Sequence, residues 1–534
     1  MRPIIVAIIL IVCLGWLLPE LQAETSSNEV QIVELRLNDY LHTVVQHNEN
    51  LQAQMLETQV SNHKKQAERG AFEPDFDTSV TREANRRTNN VQQIVADNTS
   101  FFNERNTVYD SGIESLLPSG GKVRLGYTLS DLVNNINPTG LNLGTNSLYT
   151  RQYQTFVGAT FTQPLLRNGG FTPTLAALRV AAMDSEIAFQ QYRRQLMLTV
   201  SRAESAYWNL YFAQEQLRFF DDSVSVAQNI LDDSHQKLKA GQASELDVME
   251  AQSGLALRET KRNEAQQGYF DALGSLETLT GKSLPANFSD SSQPQVRVVD
   301  VPPQTNALVN YAHGLQAALD LNPDYLIQKQ KYQQEELRVN VARNQLLPEL
   351  DFKTAYGYNG LGSTPGNSWE LAQSQQFPSW SAGLELIVPL GGNIKGRNLY
   401  GAAKLSTQEA YLALHGMQTE IGNEINFSIQ KSRAWQQSIQ SYETVVHYNE
   451  ALLDTQTKRL SAGTIDGHKV LEVEADLLDA RQNLANALVQ YRHSLLEVEI
   501  ASGEILRHRQ LEVTQQDLKR QTTAYLQRVE SPRE

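Results

Sequence analysis

From about residue 172 to 240 the apolar positions recur every seven residues. Leu196, Ala203, Leu210, Leu217, Val224, Leu231 and Leu238 form one line, and three places after the first six stand Thr199, Ala206, Ala213, Phe220, Ala227 and Ser234. A second run repeats the pattern, with Val470, Leu477, Leu484, Tyr491 and Val498 followed by Val473, Ala480, Ala487, Ser494 and Ala501. Large side chains beside small ones at this spacing predict knobs-into-holes packing of long helices. At 1.5 Å per residue the first run spans roughly 100 Å, too long for a compact core.

Elsewhere the period falls to two. LDFKTAYGYNG (350–360) and WSAGLELIVPL (380–390) are aromatic and β-branched, and Pro348 and Pro389 bound them. FDTSVTRE, TVYDSGIESLLP, GKVRLGYTLS and YQTFVGATFTQPLL read likewise, with a turn at Pro118-Ser119-Gly120-Gly121. Strands are thus expected at about 75–165 and about 348–390. So few cannot close a barrel within one chain, whereas a ring contributed by several subunits would leave no exposed edge.

The chain is also duplicated. KLKAGQASELDVMEAQ (237–252) breaks a helix at Ala240-Gly241, and RLSAGTIDGHKVLEVE does the same at Ala462-Gly463. Gly241 and Gly463, Tyr269 and Tyr491, and Gly281 and Gly503 all lie 222 residues apart, while Asn48 and Asn322, and Pro74 and Pro348, lie 274 apart. FVGATFTQPLLRNGG (156–170) answers SAGLELIVPLGGNIKG (381–396). The period far exceeds that of solenoids. We therefore divide the chain into a first unit (24–281), a Pro/Ser-rich linker (282–305) and a second unit (306–508). A polar tail (509–534) follows, expected to be a helix fading into disorder.

Composition narrows the setting. A net charge of −14 with no basic run argues against a nucleic-acid partner. A mean hydropathy of −0.41 is low for helices buried in lipid. The exception is MRPIIVAIILIVCLGWLLPELQAETSS, where Arg2, an apolar run and Leu21-Gln22-Ala23 predict a signal peptide over 1–23. Val12 before Cys13 does not suit lipid attachment, and Cys13 is the only cysteine, so a processed chain would carry none. That places it beyond the inner membrane of a bacterium, or outside a cell. Two S-x-x-K matches, Ser61–Lys64 and Ser428–Lys431, lack companion motifs, the histidines show no metal spacing, and no phosphate or dinucleotide loop occurs. The chain is expected to be no enzyme and to hold no cofactor or metal, so any energy must come from a partner.

The apolar start, the duplicated helix–hairpin–helix units, Asn322-Pro323-Asp324, FTQPLL, IVPLGG and the Gly-centred corners resemble the TolC-type outer-membrane efflux proteins over about residues 30–508. The resemblance implies a homotrimer whose transmembrane β-barrel tops a trimeric α-barrel tunnel through the periplasm. It implies a periplasmic adaptor, an inner-membrane transporter and outer-membrane lipid as partners, and passive efflux or type I secretion as the function. It further implies that the corners Ala240, Gly241, Ala462, Gly463 and Thr464 form adaptor-docking tips, where small residues admit a close neighbour. It places Lys469, Glu472, Asp247 and Glu250 at the pore constriction, where acidic residues one helical turn apart are usual; Lys469 departs from that pattern. Residues three apart share a helix face, so Lys469 and Glu472 can pair.

Tyr127, Tyr153, Phe156, Phe161, Tyr356, Tyr358 and Trp380 fall in or beside the strands, where aromatic girdles mark membrane interfaces. The family usually supplies two strands per unit, but the first unit has enough for four. The additional hairpin forms a lid, forms an extension, or widens the barrel. The rival to a duct is a periplasmic coiled-coil scaffold or adaptor without a pore, which would extract without detergent.

Overall fold

The computed structural model describes residues 33–92, 94, 100–135, 150–281, 296–302 and 310–530. The stretch read as a signal peptide and most of the linker lie outside the described residues. In chain order the elements are β1 (Val33–Leu35), α1 (Leu37–His47), α2 (Glu49–Ala67), β2 (Asp75–Thr88), β3 (Phe101–Leu116), β4 (Lys122–Asn134), β5 (Thr150–Pro164), α3 (Ala176–Lys239) and α4 (Glu245–Thr280). The second half adds β6 (Val296–Val298), α5 (Tyr311–Leu321), α6 (Pro323–Asn344), β7 (Glu349–Gly362), α7 (Pro365–Gln373), β8 (Pro378–Ile387), α8 (Ile394–Ser461), α9 (Gly467–Ser502) and α10 (Gln515–Glu530). The protein is mainly helical with one large sheet, as the periodicities predict.

The duplication holds in the helices. α1 and α5 are both 11 residues long, and α4 and α9 are both 36. Asn48 and Asn322 cap α2 and α6 with their side-chain oxygens, satisfying N–H groups the first turn leaves free. Gly281 and Gly503 end α4 and α9 in the left-handed conformation. Every heptad position named above is buried or half-buried, and Leu196, Ala203 and Leu210 are fully so. Complete burial of one such leucine contributes about 1.5–3 kcal/mol.

The helices form one layer. Nearer the sheet the neighbours run α2, α3, α6, α8; toward the corners they run α4, α3, α9, α8. The strands β2, β3, β4, β5, β7 and β8 pair in that order in a single antiparallel sheet. Four helix–strand junctions meet at one end of this sheet. There the units are tied by Leu165 N to Leu350 O (2.7 Å) and Asn168 N to Asn344 Oδ1 (2.7 Å).

Between sheet and corners lies the largest core, including Tyr40, Tyr207, Trp208, Tyr269, Val296, Ile505 and Leu518. The described end of the linker enters it as β6, which pairs in parallel with β1. Asp300 accepts from Leu37 N and from the Tyr207 hydroxyl, each at 2.7 Å. The C-terminal segment carries a helix, as its polar sequence allows. α10 docks on this core through Leu518 and Thr522, both nearly inaccessible, so even a charged helix is held by one apolar face.

Glu204 of α3 is fully buried and receives Arg492 of α9 and Arg509 of the C-terminal segment, each at 2.8 Å. Burial opposes its ionisation, yet the Arg509 hydrogen bond and the Arg492 charge outweigh it and hold the carboxyl below the usual range. Because the folded value is depressed, this stabilisation is present above the unfolded glutamate pKa and is lost as pH falls through the folded value. Glu204→Ala, which strands two buried guanidinium groups, should cost about 3–5 kcal/mol in denaturant unfolding and remove that part of the acid sensitivity.

Candidate functional site

Cross-strand partners in an antiparallel sheet share a face, so the register assigns each side chain to one side. One face carries the row Phe76, Ile113, Leu125, Ala159, Tyr356 and Trp380, one residue from each strand. Tyr109, Val80, Leu384 and Leu386 share this face, and all these large side chains are more than a third exposed in the single chain. The other face carries Asp77, Asp110, Glu114, Lys122 and Arg124, with Arg124 bound to Asp77 at 2.8 Å and to Asp110 at 2.5 Å. A sheet apolar on one side, polar on the other, and exposed on both suits a wall between lipid and water.

On the polar face Gly112, Gly126, Gly158 and Gly357 stand in one row on four successive strands. A Cβ on the first two would meet the Arg124 guanidinium at 2.8 Å, and on the last two the Phe156 ring at 2.7 and 2.6 Å. The row lets both groups lie flat on the wall. Phe156 therefore sits opposite Tyr127, Tyr153, Phe161, Tyr356, Tyr358 and Trp380, which share the apolar face. Its alternation places it among polar neighbours because strand phase, not residue type, sets direction.

Every residue of β2 and of β8 is exposed, and each strand has a neighbour on only one side. The helical layer has matching free borders. α4 exposes Leu246, Met249 and Leu257, and α8 exposes Leu405, Leu412, Phe427 and Tyr448, each more than half accessible. One border of the protein thus runs along α4, α2 and β2, and the other along α8 and β8.

The two corners lie together at the end remote from the sheet. Ile230, Leu231, Val248, Leu460, Val470 and Leu471 share one small core there, and Lys237 Nζ donates to Leu460 O at 3.3 Å. Gly241 (φ +73°) and Gly463 (φ +70°) close identical turns: each donates to the carbonyl three residues back, and the next residue donates to the carbonyl five back. Ala240, Ala462 and Thr464 beside them are exposed, and open space surrounds both glycines.

The helices leaving the corners start differently. Ser244 and Asp247 form a reciprocal capping box on α4, and the Ser244 N–H lowers the Asp247 pKa. On α9 Asp466 alone caps, accepting from Lys469 N at 3.0 Å. The Lys469 side chain is then free to bind Glu472, at 2.5 Å, and this hydrogen bond holds the Glu472 carboxyl below its ordinary range. Glu250 is exposed one turn after Asp247. All four proposed constriction residues therefore stand on the first turns beyond the corners.

Comparison with known proteins agrees with this layout. The family model described as outer membrane efflux protein matches residues 40–282 and 314–504. The chain belongs to the outer membrane efflux protein family. This efflux-family chain is 23% identical to the outer membrane protein TolC of Vibrio cholerae over 388 residues, covering 70% of the chain and 83% of the relative. It is 24% identical to the proteases secretion protein PrtF of Dickeya chrysanthemi, covering 74% and 81%. Its fold is similar to that of the Campylobacter jejuni CmeC outer membrane channel, with a TM-score of 0.56 at 16% identity over 91% of this chain and 89% of that one. The outer-membrane channel OprN gives 0.59 at 15% identity over 88% and 89%.

Sequence reasoning missed the contact that ties the two hairpins above their corners. Arg258 of α4 reaches Glu474 of α9 at 2.7 Å and the Leu471 carbonyl at 2.9 Å, with both side chains buried. Its two halves lie far apart in sequence, and neither breaks the helical pattern. Arg258→Ala should destabilise the corner end by about 3–5 kcal/mol, because it leaves a buried carboxylate unpaired. Gly463→Ala should cost about 1–2 kcal/mol through its left-handed backbone. In both variants hydrogen exchange should rise at the corners and stay unchanged around Trp208.

Proposed function

We propose that three copies of this chain join border to border into a homotrimer that forms a passive exit duct. Its sheets make a barrel in the bacterial outer membrane, and its helices make a tunnel through the periplasm. In this reading β2 of one copy pairs with β8 of the next, while α2 and α4 pack on the neighbour's α8. The observation that carries it is the free border running the length of both sides, strand edge and helix stripe alike. A head-to-tail interface of this kind generates a ring when its rotation closes. It also satisfies the edge N–H and C=O groups that hydrocarbon would leave unpaired.

The duct would serve a tripartite efflux or type I secretion system, with a periplasmic adaptor docking at the corners and an inner-membrane transporter supplying the energy. The names of relatives support that class: PrtF is a protease secretion protein, and TtgF of Pseudomonas putida belongs to a toluene efflux pump. At the corner end Lys469 and Glu472 of each copy would line the constriction, with Asp247 and Glu250 beside them. The six aromatics on the apolar face would mark the membrane interface.

Cysteine pairs scanning Ser79 on β2 against Ser379 and Ser381 on β8 should, on oxidation, give a ladder ending at three copies in denaturing electrophoresis. Monomer alone, together with extraction in the absence of detergent, would favour the poreless scaffold instead. In planar bilayers the trimer should conduct, and Lys469→Asp should make that conductance more sensitive to divalent cations. An unaltered response would remove the pair from the pore.

A further inference from the structure

The first unit brings four strands to the sheet where the second brings two. A lid above the membrane or an extension below it needs no apolar stripe aligned with the other strands. The register shows such a stripe. On β2, Phe76, Thr78 and Val80 share the apolar face, while Asp77, Ser79 and Thr81 share the polar one. On β3, Tyr109, Ser111 and Ile113 lie on the apolar face, and Asp110 and Glu114 on the polar one. These residues fall in the same rows as Leu125, Leu129, Tyr356 and Trp380 on the later strands. At 14 and 16 residues, β2 and β3 also exceed the roughly 9–11 that a tilted membrane strand requires.

The ion pairs bind the early strands into the same wall. Arg124 on β4 crosses β3 to reach Asp77 on β2 and holds Asp110 on the way. The guanidinium lies over Gly112 and Gly126 on the face that would look into the lumen. A hairpin folded away from the wall would lose this three-strand bond.

We infer that all six strands of each copy enter the membrane wall, so that the duct opens through an eighteen-stranded barrel. This rests on the trimeric reading above. With strands about 4.8 Å apart and tilted about 40°, such a barrel measures roughly 35 Å across, backbone to backbone. That is the strand number at which porins hold an open aqueous channel. The outer-membrane portion then sets no tight size limit for solutes, and discrimination by size falls to the helical end.

The test is a cysteine scan of β2 and β3 in the full chain reconstituted in lipid, where Cys13 is the only native cysteine. Val80→Cys, Tyr109→Cys and Ile113→Cys should react with a lipid-soluble maleimide and lose reaction with a charged, water-soluble one. Ser79→Cys, Thr81→Cys and Val108→Cys should show the reverse. Leu125→Cys on β4 serves as the lipid-facing reference, and unchanged conductance identifies variants that assemble. Aqueous labelling at all six positions would overturn the inference by placing β2 and β3 outside the bilayer. The mass of the detergent-solubilised particle separates the two readings. Alternating labels in a particle that is not three copies would sink the trimer and the count of eighteen, while leaving the strands in the wall.

Discussion

A strand edge presents a row of N–H and C=O groups, and in hydrocarbon nothing but another strand can receive them. Each unsatisfied group costs several kcal/mol. β2 and β8 present such rows at opposite ends of a sheet, one face of which carries the apolar row from Phe76 to Trp380. The rest of the protein is arranged around that demand. The helices α4 and α8 lie on the same two sides, and they expose leucine, methionine, phenylalanine and tyrosine.

Duplication supplies two hairpins whose return helices are equally long, and small substitutions then make them unequal in chemistry. In the first hairpin Asp247 is consumed in capping α4 with Ser244. In the second Asp466 caps without help, so position 469 is no longer needed for the backbone and carries a lysine that pairs Glu472. One exposed pair of this kind contributes little to stability. The pair stands beside the end where the corners converge.

The long helices were legible because their signal is local and periodic: each heptad position repeats the same requirement, and all of those positions proved buried or half-buried. The strands were legible as strands for the same reason. Their direction was not. Phe156 looks like any interface aromatic, but its face depends on pairing with Thr128 and Asn359, residues far away in the chain. Likewise Glu204, Arg258, Arg492 and Glu474 resemble ordinary solvated charges on a helix until folding brings them together. The docking of α10 was not legible because it rests on few apolar residues and on Arg509 just before it. The caps at Asn48 and Asn322, by contrast, stand out in the sequence through repetition alone.

The equal 36-residue lengths of α4 and α9 carry a consequence for how such a chain can change. Both return from corners that share one small core and are stapled to each other by Arg258 and Glu474. Adding a helical turn to one hairpin alone would lift its corner about 5.4 Å out of level with the other. The shared core would be sheared and the staple misaligned. Lengthening is therefore tolerated only in tandem, and the reach of the protein is adjustable in steps taken twice.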